Sequence, residues 1–104
     1  TLDFVQKAQT LAIQAIRPGL ELQKLYGVAH EYFREQGVEQ YFTHGLGHGI
    51  GLETHEFPGI GPKSVGVLEP GMVITIEPGL YYPDWGGVRW EHMVLVTDDG
   101  ARVL

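Results

Sequence analysis

Cysteine is absent from all 104 residues, which excludes disulfides, thiolate zinc sites and cysteine nucleophiles together. This suits the cytoplasm, which is the expected location. No apolar run approaches the ~20 residues needed to span a bilayer, and no signal peptide is visible. Positive charge is scarce, with 7 Lys and Arg against 13 Asp and Glu and a net charge of −6. That balance argues against nucleic acid or an anionic membrane as a partner. GxxxxGK[ST] is missing, no GxGxxG leads a strand into a helix, and GxSxG is absent. Aspartate is limited to Asp3, Asp84, Asp98 and Asp99. The chain opens on Thr1 rather than Met, and we read it as a piece of a longer one.

What remains is 43% hydrophobic and 19% charged, the composition of a globular chain of one domain at most. From Thr1 to Arg17, Phe4, Val5, Ala8, Leu11, Ala12, Ala15 and Ile16 fall at helical spacing, with Thr1 as a candidate N-cap. Pro18-Gly19 ends that pattern. A second amphipathic helix fits Glu21 to Gln36, with Leu22, Leu25, Tyr26, Ala29, Tyr32 and Phe33 as a core stripe and Gly37 as its stop. Beyond it glycine becomes dense, and Tyr41 to Leu52 reads as strand and loop. Residues 57–71 read as a loop closing on Glu69-Pro70-Gly71. Two β runs follow, Met72 to Tyr82 and Gly87 to Thr97, around the turn Pro83-Asp84-Trp85-Gly86. Asp98-Asp99-Gly100 then turns into a short final strand, Ala101 to Leu104. The predicted class is α+β, with two N-terminal helices packed on an antiparallel sheet.

Chemistry concentrates in HGLGHGIGLETHE, residues 44–56, where three histidines and two glutamates crowd onto glycine-rich backbone. His44 and His48 share parity; His55 has the opposite parity and needs a bend to join them. A hairpin centred on Asp84 sets Glu77 opposite Glu91, each seven residues from the centre. Opposed residues carry Cβ atoms roughly 4.5–5.5 Å apart, where like charges repel unless a divalent cation lies between them. The same register puts Arg89 on the face of Glu91, and turns Trp90 and His92 the other way, Trp90 toward the helices. In the plainer alternative both glutamates face water and pair with Lys or Arg. Imidazole and carboxylate without thiolate suit Mn, Fe, Co or Zn, and bridging carboxylates are what two-metal hydrolases use.

HGLGHGIGLETHE, LEPGMVITIEPGLY and GGVRWEHMVLVTDDG together resemble the C-terminal half of the pita-bread metallopeptidases, in the proline-specific branch of Xaa-Pro dipeptidases and aminopeptidase P. AQTLAIQAIRPG is similar to the preceding helix, so the resemblance covers nearly the whole chain, 1–104. It implies that His48, Glu77 and Glu91 are metal ligands, with Glu77 also handling the proton of the attacking water. His44 and His55 fall on histidines lining the substrate cleft, His55 as stabiliser of the tetrahedral intermediate, and Arg89 on an arginine behind the ligands. The implied cofactors are two divalent ions in the parent enzyme, manganese foremost, with cobalt, zinc and iron also suited. In this fragment that site is expected to be partial or empty.

Two departures stand out. The family's remaining ligands are two aspartates, and none of the four here lies in such a context. His92 stands where VRIED would place Asp, a feature of methionine aminopeptidases, whose motif lacks the counterpart of Arg89. The expected function is metal-dependent hydrolysis of an Xaa-Pro bond by the full-length parent, acting on a peptide with proline second, and the isolated fragment is expected to be inactive. The competing readings are a non-catalytic peptide- or partner-binding module, a methionine aminopeptidase-like hydrolase, and a metal-free creatinase-like hydrolase. A homo-oligomer is compatible with all of them.

Overall fold

Apolar spacing near 3.6 builds the first half of the chain. A computed structural model describes residues 1–50 and 59–104. Helix α1 spans Leu2–Ala15 and α2 spans Leu22–Glu35. Val5, Ala8 and Ala12 are buried on α1, and Leu22, Leu25, Ala29 and Phe33 on α2, so the two apolar stripes pack together. Thr1 holds the N-cap position without a side-chain capping bond; its hydroxyl donates instead to Tyr82 Oη at 3.2 Å. Between the helices, Gly19 adopts φ +89°, and its N–H donates to Leu68 O at 2.8 Å. The loop leading to the strands is thereby tied to the link between the helices.

Among the described residues five strands follow: β1 (Val73–Ile76), β2 (Gly79–Tyr82), β3 (Gly86–Arg89), β4 (His92–Val96) and β5 (Ala101–Val103). All pairings are antiparallel, in one sheet of order β1-β4-β5 and a two-stranded sheet β2-β3. The expected hairpin is therefore divided. Its register is uniform nonetheless, because Ile76↔His92 and Gly79↔Arg89 are both symmetric about Asp84. The interruption falls at Pro78, which has no N–H to donate to Trp90. Trp90 N still donates to Pro78 O at 3.1 Å.

Tyr41 to Leu52, expected as strand and loop, begins with a 3-10 turn at Glu39–Tyr41; residues 51–58 lie outside the described part. Residues 46–50 run antiparallel along the free edge of β1, through Glu77 N to Leu46 O, Thr75 N to His48 O and Ile50 N to Val73 O, at 2.7, 2.8 and 2.8 Å. On their other side Leu46 N donates to Ile60 O at 2.7 Å. The core joins Phe33, Leu25 and Leu22 of the helices to Ile74, Ile76 and Val94 of the sheet, each 0–1% exposed. Trp90, expected to turn toward the helices, is 39% exposed, and the ring of His92 faces α1 instead.

The approach of residues 46–50 to β1 depends on a missing side chain. A Cβ at Gly47 would collide with Thr75 O, whereas one at Gly61 would find nothing nearer than Ser64 Oγ at 3.9 Å. Gly47→Ala should cost about 3 kcal/mol, the upper part of the range for overpacking. Gly61→Ala should stay within about 0.5 kcal/mol of the parent. Urea unfolding of both variants measures the contrast, and equal midpoints would contradict the close approach.

Candidate metal and catalytic site

Pairing of 46–50 with β1 brings the glycine-rich motif against the first of the two glutamates. His48 Nε2 lies 3.6 Å from Glu77 Oε2, and Arg89 Nη1 lies 3.4 Å from Glu77 Oε1. Glu77 is the inner member, its side chain only 13% exposed. Thr75 Oγ1 accepts from His48 N at 2.9 Å and fixes where the imidazole starts. His48 Nδ1 lies 3.2 Å from Gly49 O, so this nitrogen carries the proton and donates it to the carbonyl. Nε2 is thereby turned toward the Glu77 carboxylate, so that imidazole and carboxylate face one another as two donors able to share a cation.

His44 repeats the pattern. Its Nδ1 bonds to Gly45 O, which leaves Nε2 as an acceptor. That Nε2 is buried and has no hydrogen-bond partner among the described residues. The ring is held edge-on by Phe42 and Tyr81, with centroids 5.3 and 5.6 Å away. Phe42 in turn stacks on Tyr26 at 5.3 Å and meets Phe33 at 5.1 Å, so the aromatic stripe of α2 reaches the site. A Cβ at Gly79 would lie 2.9 Å from His44 Nε2, so only glycine leaves the ring its place.

These groups line a cavity of about 580 Å³ shared by His44, His48, Glu77, Arg89, Lys63 and Ser64. Ser64 Oγ accepts from Gly61 N at 2.8 Å and donates to Gly59 O, which shapes the loop carrying Lys63. Lys63 and Ser64 fall in the loop expected over residues 57–71, where Lys63 is the one cation of GIGPKS. Glu91 stands opposite Glu77 in the common register, and its side chain is exposed. Among the described residues, no group of three His, Asp or Glu side chains is close enough to hold a metal ion. The structure thus brings His48 and Arg89 to Glu77 and does not bring the side chain of Glu91 to them. His55 lies outside the described residues. His92 Nδ1 donates to Gln9 Oε1 at 2.8 Å, away from the cavity.

Burial lowers the pKa of His44 below its ordinary value of 6.5, the Gly45 carbonyl opposes this, and the Arg89 charge reinforces it. The folded state therefore favours neutral imidazole. Well above the ordinary value both folded and unfolded chains are neutral here, and this contribution to stability is complete. As pH falls through that value the unfolded chain takes up a proton that the folded chain resists. Stability then declines until the lowered folded pKa is reached. Urea midpoints measured at about pH 8 and about pH 5 should fall less in His44→Gln than in the parent. Equal losses would remove His44 from the acid response.

Against this geometry, a family profile described as metallopeptidase family M24 matches residues 1–98. An Xaa-Pro dipeptidase of Pyrococcus furiosus is 49% identical over 102 residues, covering 98% of this chain and 29% of the relative. The solved prolidase from Pyrococcus furiosus superposes with a TM-score of 0.90 at 48% identity, over 97% of this chain and 30% of that one. An X-Pro aminopeptidase structure from Thermotoga maritima gives 0.88 at 38% identity, over 97% of this chain and 29% of that one. The chain thus spans less than a third of the length of these relatives, and its two helices on antiparallel strands are a portion of the pita-bread fold. On the match over residues 1–98, the chain belongs to metallopeptidase family M24.

Proposed function

We propose that this chain is the C-terminal half of a pita-bread catalytic domain, and that its full-length parent hydrolyses Xaa-Pro bonds with two divalent ions. One observation carries the reading: His48 Nε2 set 3.6 Å from Glu77 Oε2. That separation is within reach of two donors sharing one ion at bonds of about 2.0–2.2 Å. The donation of His48 Nδ1 to Gly49 O supports it, since ligating histidines commonly give their other N–H to a carbonyl. The imidazole–carboxylate donor set fits manganese, cobalt, iron or zinc. His48, Glu77 and Glu91 would hold the ions with two aspartates from outside this sequence. Bound ions would lower the pKa of water and polarise the scissile carbonyl.

The chain's own residues do the rest. Glu77 takes the proton of the attacking water and passes it to the departing proline nitrogen. Arg89, on the opposite carboxylate oxygen, keeps Glu77 aimed. His55 donates to the carbonyl oxygen as negative charge develops there. His44, neutral and flanked by aromatics, offers its Nε2, unpartnered among the described residues, to an N–H of the substrate. Lys63 on the cavity rim supplies a cation suited to a peptide carboxylate.

Two experiments test this. In the parent, Glu91→Ala should abolish both metal uptake and Xaa-Pro cleavage. Arg89→Ala should keep the metal and lose roughly 10–100-fold in turnover. Metal analysis beside a proline-release assay distinguishes them, and equal metal loss in both variants would reverse the assignments. The isolated 104-residue chain should bind Mn²⁺ weakly, cleave no Xaa-Pro dipeptide measurably and self-associate. Robust turnover by that chain, lost in Glu77→Gln, would refute the need for the two aspartates.

A further inference from the structure

We infer that Gln9 of α1 is a positioning residue for both glutamates, replacing the backbone donor that Pro78 removes from the sheet. Gln9 is 5% exposed. Its Nε2 donates to Ile76 O and to Trp90 O, both at 3.1 Å, and its Oε1 accepts from His92 Nδ1 at 2.8 Å. The two carbonyls belong to the peptide units that join Ile76 to Glu77 and Trp90 to Glu91. One amide therefore spans the two strands immediately before each glutamate.

Local geometry explains why a side chain is needed. Trp90 N donates to Pro78 O, so 78 and 90 form a hydrogen-bonded pair of the ladder. The reciprocal bond, from the nitrogen of residue 78 to Trp90 O, cannot form on proline. A partly buried carbonyl would be left without a donor, and Gln9 provides one. Both amide hydrogens and the carbonyl oxygen of Gln9 are in use, the full complement that a buried amide can reach here. An apolar residue of the same size would fit the α1 stripe between Val5 and Ala12, so packing alone gives no reason for glutamine.

The consequence for metal binding rests on the functional reading above; the consequence for the ladder does not. The test uses the full-length parent, with Gln9→Met, the shorter amide Gln9→Asn, Pro78→Ala, and the double variant Gln9→Met/Pro78→Ala. In metal-free protein, hydrogen exchange at the Trp90 amide should accelerate in Gln9→Met relative to amides of β5. Titration with Mn²⁺ should weaken on the order of 10–100-fold, the scale seen when groups supporting ligands are lost. Gln9→Asn should move both readouts in the same direction, and it serves if Gln9→Met does not fold. The double variant should recover much of the exchange protection and of the Mn²⁺ affinity, since alanine in place of Pro78 restores the missing N–H. If Gln9 merely anchors α1, stability will fall while Trp90 exchange and Mn²⁺ affinity stay in proportion to it, and Pro78→Ala will rescue nothing; that overturns the inference. A parent that takes up no Mn²⁺ would refute the functional reading, and Trp90 exchange with its rescue would then decide the role of Gln9.

Discussion

Hydrogen bonding on both edges of β1 is the constraint on which the rest depends. One edge pairs with β4 and the other with residues 46–50, so a single strand fixes the motif histidines and the hairpin glutamates in one frame. Without that double pairing His48 and Glu77 would belong to separate segments of soft, glycine-rich backbone. The same frame explains why β1 is buried on both faces, with Ile74 and Ile76 toward the helices and Thr75 under the glycine motif. Close approach, and not flexibility, is the reason for glycine at position 47.

Charge in the cavity is balanced around one carboxylate. Glu77 meets Arg89 at one oxygen and His48 at the other, a division that leaves each oxygen a distinct neighbour. Arg89 also lies 5.7 Å from the ring centre of Tyr81, which limits where the guanidinium can swing. Tyr81 is itself seated over Gly87, where a Cβ would collide with its ring. The site's electrostatics thus rest on cross-strand packing around small residues.

Much of this was legible in the sequence because it depends on period and symmetry. The 3.6 spacing gave both helices to within two residues, and symmetry about Asp84 gave the register of Glu77 and Glu91. The division of the hairpin was written in Pro78, whose missing N–H matters only once its partner is known. Gln9 carried a signal too, as a polar residue on the buried stripe of α1, but its partners lie in a distant part of the chain. Trp90 departs from expectation because alternation gives a face and not a depth. Lys63 came near the motif through pairing of Ile60 with Leu46 and Gly47, a contact without periodicity to reveal it.

The reach of Gln9 sets the order in which the molecule can assemble. It meets Ile76 across 67 positions and His92 across 83, in a chain of 104. Closing loops of that length costs entropy before any contact repays it. At synthesis rates of about 5–20 residues per second, β4 leaves the ribosome roughly 4–17 s after this part of α1. Throughout that interval the helices can pair with each other, while the amide of Gln9 waits for Ile76, Trp90 and His92. The cavity is therefore completed only after β4 has joined the helices and β1.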